Sequence, residues 1–136
     1  MILIACADDN MGLLFNHRRQ SRDRGLCRRL LDLTAGRPLW ISAYSAPLFP
    51  ADAPGLQIDP NFLLKAGPND FCFLENQDPR PHLPRARTVI LYRWNRAYPA
   101  DLYFPVLPAA QGWRLRASSN FSGTSHPKIT EEIYSR

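Results

Sequence analysis

Asp23 is the side chain in this sequence best placed for acid–base or amidine-binding chemistry. It stands two residues after Ser21, at the start of a segment with helical periodicity. A carboxylate that faces a cleft from there can accept hydrogen bonds from the amidine-like edge of a planar heterocycle, and can relay a proton to its ring nitrogen. The alternative is that Asp23 complements the helix macrodipole or pairs with a neighbouring arginine.

Six arginines lie within the twelve residues 18–29, beside His17. They are Arg18, Arg19, Arg22, Arg24, Arg28 and Arg29. Guanidinium groups form forked hydrogen bonds with carboxylates and phosphates, so an acidic ligand tail and a nucleic-acid backbone are both candidate partners. Arg24 and Arg28 share one helix face and Arg22 and Arg29 another, so no single stripe collects them all. A solvated, charged helix face is the alternative.

Two further segments raise functional hypotheses. Trp94, Tyr98 and Tyr103, with Arg93 and Arg96, could supply base stacking and phosphate contacts to RNA, or could simply fill the core. The hydroxyl-rich residues 118–126 end at a histidine, which raises the hypothesis of a nucleophile. That segment lacks a Gly-x-Ser-x-Gly frame, and a turn between two strands is favoured.

The cysteines and histidines predict neither a disulfide framework nor a metal site. Cys6, Cys27 and Cys72 are an odd number and widely spaced, which is typical of buried free thiols in a cytosolic protein. His17, His82 and His126 are isolated from one another and from the cysteines. We therefore predict no metal and a cytoplasmic location.

The composition predicts a single folded domain over residues 1–136. The chain is 45% hydrophobic and 21% charged, so it can bury a core and is not of the disordered class. The formal net charge of +5 favours anionic partners. The apolar run 2–7 is far shorter than a membrane span, so no membrane partner is expected.

The hydrophobic patterns predict an α/β fold with a single mixed, mainly parallel sheet and an antiparallel C-terminal hairpin. We expect one principal helix, capped by Ser21 and running to about Thr34, and one short helix near residues 61–65. The predicted strands are 2–7, 39–44, 70–75, 88–94, 114–117 and 129–134. The proline-bearing segments 46–60 and 78–84 are predicted to be a surface loop and a connection that is not a helix.

Several of these segments resemble dihydrofolate reductase in shortened form. Residues 2–7, continuing through Asn10-Met11-Gly12 to Asn16, look like that family's first strand and active-site loop. Asp23 falls at the acidic position of its first helix. The most specific match is the order of residues 86–92, then Asp101-Leu102-Tyr103-Phe104-Pro105, then Trp113.

The resemblance implies a set of site residues. Asp23 would be the catalytic acid, and the substrate would contact Ala5, Asn16, Cys27 and Arg28. The cofactor NADPH would contact Ser42, Tyr44 and Ser45. The family's Gly-Arg-x-Thr segment is replaced here by residues 42–45, its Gly-Gly turn by residues 74–78, which carry Glu75, and its following helix is missing. Without that cation and glycine pair, the chain lacks the groups with which the resembled family holds the phosphates of NADPH.

Three functional hypotheses remain open. The first is a divergent member of that family that binds a small planar heterocycle or nucleotide and, if it is an enzyme, transfers a hydride from NADPH. The second is a non-catalytic binding or interaction protein on the same scaffold, and the third is a basic RNA-binding protein that uses residues 18–29. Loss of the cofactor-side helix would expose a strand edge, which makes a homodimer possible.

Overall fold

A seven-stranded mixed sheet forms the centre of the protein, in a computed structural model that describes all of residues 1–136. The strands are β1 Ile2–Ala7, β2 Gly12–Phe15, β3 Arg18–Arg19, β4 Leu39–Ile41, β5 Leu56–Ile58, β6 Phe71–Phe73, β7 Thr88–Arg93, β8 Leu102–Tyr103, β9 Arg114–Phe121 and β10 Ile129–Ser135. The helices are α1 Arg24–Thr34 and α2 Phe62–Lys65, with 3₁₀ turns at Ala46–Leu48, Arg80–Arg85 and Ala109–Gln111. The large sheet has the order β5-β4-β6-β1-β7-β10-β9.

The predicted fold class is confirmed. The five strands from β5 to β7 pair in parallel, and β10 and β9 add an antiparallel hairpin at one edge. β1 lies between β6 and β7 and is buried on both faces, which explains its wholly apolar sequence. Leu3 and Ala5 belong to the core on one side of the sheet, and Ile4 belongs to the core on the other.

Helix α1 packs on one face of this sheet through its apolar stripe. Leu26, Cys27 and Leu30 are buried in the same cluster as Ile4 of β1. The helix ends at Ala35, which has the left-handed φ of 48° and donates its N–H to the carbonyl of Leu31 at 3.0 Å. The predicted N-cap Ser21 is wrong, because the side chain of Asp23 caps the helix instead.

A second, three-stranded sheet of order β3-β2-β8 was not predicted. Leu14 pairs with Arg19 and Phe15 with Arg18, so Asn16 and His17 form a two-residue hairpin turn. Both turn residues have positive φ, as a type I′ hairpin turn requires. Strands of two to four residues carry too little alternation to be recognised in the sequence.

Two proline-bearing segments contain regular structure that was not expected. β5 lies within the predicted loop 46–60, and a 3₁₀ turn follows residue 79 in the predicted connection.

β9 is a sheet edge whose side chains are almost all exposed, with a bulge opposite Ile133 and Tyr134. The predicted homodimer depended on a strand edge exposed by loss of the cofactor-side helix, and it stays a prediction. No helix has the length and apolar character needed to span a membrane.

Candidate functional site

A narrow pocket lies where β1 and β6 end and α1 begins. The carboxyl ends of parallel strands commonly form binding crevices in α/β folds. Cys6, Asp23, Cys27 and Glu75 line this pocket, and Arg19 closes one side. Its open volume is only about 20 Å³, room for about one water molecule. The protein's own side chains therefore fill most of this crevice.

Asp23 is bonded to the protein through both carboxylate oxygens. Oδ1 accepts the backbone N–H of Leu26 at 2.9 Å. Oδ2 accepts the N–H of Ser125 at 2.7 Å, its hydroxyl at 2.8 Å and the N–H of His126 at 3.3 Å. Asp23 is 2% exposed. These contacts leave little accepting capacity for a ligand.

The pKa of Asp23 lies well below its usual range. Burial alone would raise it, but hydrogen bonds from the backbone N–H groups of Leu26 and Ser125, and from the Ser125 hydroxyl, outweigh that effect. The carboxylate is therefore ionised at neutral pH. An ionised Asp23 can orient and stabilise the segment around it, whereas a proton donor would need a raised pKa.

This pKa predicts an acid-sensitive contribution to stability. Because the folded-state pKa lies below that of the unfolded chain, Asp23 stabilises the fold above about pH 4 and loses that contribution as the pH falls further. The difference in unfolding free energy between the wild type and Asp23→Asn should therefore shrink between about pH 6 and pH 2, as measured by urea titration. A constant difference would contradict this assignment.

A hydrogen-bond chain continues from Asp23 through the turn before β10. Because Ser125 donates its hydroxyl proton to Asp23, the Nδ1–H of a neutral His126 donates to Ser125 Oγ at 2.8 Å. Nε2 of His126 then accepts from the hydroxyl of Tyr98 at 2.6 Å. Burial lowers the pKa of His126, which favours this neutral form. The chain fastens three separate segments together beside the pocket.

Arg19 and Glu75 form the second polar cluster of the pocket. Arg19 Nε and Nη2 donate to Oε2 and Oε1 of Glu75 at 2.9 and 3.0 Å. Nη2 also donates to the carbonyl of Tyr44 at 3.0 Å, and the guanidinium lies 4.5 Å from the centre of the Tyr44 ring. Ser45 donates its hydroxyl proton to Glu75 Oε1 at 2.8 Å. A planar cation thus lies between a carboxylate, a carbonyl and an aromatic face.

An open groove, the α1 groove, runs along the outer side of α1. It has a volume of about 380 Å³, and its residues are Arg22, Arg24, Cys27, Arg28, Leu31 and the segment 47–50. Arg22 donates to the carbonyl of Pro47 at 2.8 Å, and no carboxylate pairs with Arg22, Arg24 or Arg28. The groove therefore combines an apolar wall with three cations that lack an acidic partner.

The structure brings only part of the predicted substrate set together. Asp23 and Cys27 line the pocket, and Arg28 lines the α1 groove. Burial raises the pKa of Cys27 to about 11, so its thiol is protonated. Ala5 is completely buried in β1, and Asn16 lies at the hairpin turn on a different groove. Neither residue lines the pocket.

The predicted cofactor residues are already engaged or enclosed. The hydroxyl of Tyr44 accepts the backbone N–H of Arg19 at 2.8 Å, and Ser45 is bonded to Glu75. Ser42 Oγ is buried and has no hydrogen-bond partner. NADPH binding by these three residues stays a prediction. Binding through Tyr44 or Ser45 would have to replace or share their present contacts with Arg19 and Glu75.

Trp94 does not provide the exposed stacking surface expected for RNA. It is 4% exposed and stacks on His126 with ring centres 4.6 Å apart. Arg93, predicted as a phosphate contact, instead pairs with Glu132 at 3.2 Å. Residues 89–92 of β7 are all buried, on both faces of the sheet, whereas Tyr103 is half exposed.

Sequence reasoning missed the Arg19–Glu75 pair and the role of His126. These contacts join residues 56 and 103 positions apart, so no local spacing could have revealed them. No group of three or more histidine, cysteine or acidic side chains is arranged to hold a metal ion. No protein-family model matches the sequence, and no curated protein matches it.

Proposed function

We propose that the protein binds a small planar heterocycle or nucleotide that carries an acidic group, with that group held in the α1 groove. The observation that carries the proposal is the set of three arginines without acidic partners beside an apolar wall. Forked guanidinium groups recognise carboxylates and phosphates, and an apolar wall accommodates a ring.

The electrostatics of the groove favour an anion. Asp23, the only acid within residues 18–29, is turned inward, and its oxygens accept hydrogen bonds from Leu26 and Ser125 rather than from the groove arginines. Arg24 and Arg28 are exposed, and their side chains donate no hydrogen bond within the protein. Their donors are therefore available to a ligand without breaking an existing contact.

The size and lining of the groove favour a small molecule. A volume of about 380 Å³ lies within the range of small-ligand sites. Leu31, Leu48 and Phe49 supply the apolar wall. Arg22, Cys27 and Leu48 line both this groove and the narrow pocket, so the two spaces are neighbours.

The proposal itself requires only ligand binding. Hydride transfer from NADPH to the bound ligand would be an additional activity. The resemblance to dihydrofolate reductase implies NADPH-dependent reduction, with Asp23 assisting protonation. Asp23 is ionised and bonded internally, and Tyr44 and Ser45 are engaged with Arg19 and Glu75. These contacts favour a binding protein over a reductase, so reduction stays a prediction.

Replacing the three groove arginines by glutamine should abolish most of the binding. Thermal unfolding with nucleotides, folate, NADP and NADPH would first identify a ligand that raises the midpoint. For that ligand, the variant Arg22→Gln/Arg24→Gln/Arg28→Gln is expected to bind roughly 100-fold more weakly by calorimetry, because charge-assisted hydrogen bonds are lost.

A charge-matched control separates this site from general attraction to a basic protein. The variant Arg87→Gln/Arg114→Gln/Arg116→Gln removes the same charge at residues remote in sequence from α1 and absent from the lining of the α1 groove. It should retain near wild-type affinity. Equal losses in both triple variants, or no ligand in the set, would contradict the proposal.

RNA binding is the second candidate, because further free cations extend the basic surface. The side chains of Arg18, Arg96 and Lys128 form no salt bridge and line two other grooves. A phosphate backbone would contact them as well, whereas a small ligand needs only the α1 groove. The variant Arg96→Gln/Lys128→Gln should therefore weaken RNA binding and reduce its salt dependence while leaving the small ligand unaffected.

A further inference from the structure

We propose that Glu75 and Tyr44 form a recognition site for a planar amidine or guanidine group, and that Arg19 occupies this site as an internal ligand in the structure. The site takes ligands with an amidine edge, such as benzamidine or a protonated 2-aminopyrimidine. The inference deepens the proposed function, because it assigns a carboxylate partner to the heterocycle in the pocket beside the α1 groove.

The contacts of Arg19 define the ligand class. Two parallel N–H donors meet the two oxygens of one carboxylate at 2.9 and 3.0 Å, which is the geometry of bidentate amidine recognition. The third contact, to the carbonyl of Tyr44, requires another donor on the same planar group. The ring of Tyr44 lies 4.5 Å away and favours a delocalised cation. A ring without adjacent N–H donors satisfies none of these hydrogen bonds, and an uncharged ring lacks the attraction to the carboxylate and to the aromatic face.

The carboxylate is held in place independently of Arg19. Ser45, which is completely buried, donates to Glu75 Oε1 at 2.8 Å. The side chain of Glu75 is 10% exposed, so its oxygens are largely shielded from water. A shielded, oriented carboxylate strongly requires a cationic partner. Asp23, by contrast, has its oxygens taken by four protein donors.

The side chain of Arg19 can leave without unfolding its surroundings. Its backbone is fixed separately, by pairing with Leu14 and by the bond from its N–H to the Tyr44 hydroxyl. The Arg19 side chain is 23% exposed and therefore reaches solvent already. Rotation of this side chain would enlarge the narrow pocket by the volume of a guanidinium and leave Glu75 facing it. An external amidine could then take its place.

Chemical rescue tests the site directly. The variant Arg19→Ala leaves Glu75 without its cation, so the thermal midpoint should fall. Benzamidine or methylguanidine at millimolar concentration should restore part of it. A rise of about 4 °C is expected at about ten times the dissociation constant. Arg19→Met, which keeps the apolar stem, serves if the alanine variant does not fold.

Two control variants test whether the rescue requires the Glu75 carboxylate and is specific to this site. Arg19→Ala/Glu75→Gln lacks the carboxylate and should show no rescue. Arg80→Ala breaks an exposed pair with Asp78 and should not respond to the amidine either. A midpoint of Arg19→Ala and Arg19→Met that does not rise, or that rises equally in the controls, would overturn the inference. Benzamidine has no acidic group, so its rescue is independent of Arg22, Arg24 and Arg28, and failure here leaves the proposed function standing.

Discussion

Asp23→Ala is expected to lower the free energy of unfolding by about 3 kcal/mol. The substitution removes the N-cap of α1, a loss of about 1 kcal/mol. It also removes the acceptor of three donors from Ser125 and His126, which adds about 2 kcal/mol once the turn relaxes and water takes up the freed donors. Urea-induced unfolding followed by circular dichroism measures the difference.

Asp32→Ala is the matched control for this measurement. Asp32 lies on the same helix and is exposed, with no salt bridge or side-chain hydrogen bond. Its replacement should change stability by less than about 0.5 kcal/mol. If Asp23→Ala is equally mild, the carboxylate is not the anchor of the turn before β10, and its hydrogen bonds are replaceable by water.

The location of Asp23 could be predicted from the sequence, but its partners could not. Helical periodicity after residue 24 placed the carboxylate at the start of α1, where a cap is expected. Its other partners come from a turn 102 residues later. In the sequence, that turn is recognisable only as a polar, hydroxyl-rich segment, which does not reveal its contact with Asp23. The contact depends on β10 lying next to β7 in the sheet, which is tertiary information.

The long elements could be predicted because their apolar patterns lie within a single stretch of sequence. β1, α1 and β7 each carry a long run of periodic or continuous apolar residues, and each was predicted within a few residues of its observed bounds. β2, β3 and β8 are stabilised by one another and by Asp101, whose Oδ2 accepts the N–H of Asn16 at 3.0 Å. Such short strands exist only because the rest of the fold brings them together.

The arginine run shows how the fold sorts residues that look alike in sequence. Arg19 and Arg29 pair with Glu75 and Glu131 and stack on Tyr44 and Phe121. The remaining arginines of the run form no ion pair. Helical spacing alone grouped Arg22 with Arg29, yet Arg22 faces the α1 groove and Arg29 faces β10. The arginines without an ion pair are the ones open to an anionic ligand, namely Arg18, Arg22, Arg24 and Arg28.

Gly123→Ala is expected to destabilise the protein by about 3 kcal/mol. A Cβ at this position would overlap Asp23 Oδ2 and lie 2.6 Å from Ile129 Cδ1. Both neighbours are buried, so neither can move aside freely. The turn would have to lift away from Asp23, which breaks the bonds that fasten Ser125. Gly67→Ala is the control, because its Cβ would meet only the Asp70 side chain, at 3.2 Å.

The cost of Gly123→Ala should depend on the carboxylate that it displaces. In the Asp23→Ala background the overlapping oxygen is absent, so a methyl group at residue 123 can occupy part of the vacated space. The double variant should therefore be more stable than the sum of the two single effects implies, with a coupling of about 1.5 kcal/mol. Strict additivity would show that the clash with Ile129, not the seating of the turn on Asp23, sets the cost of the glycine substitution.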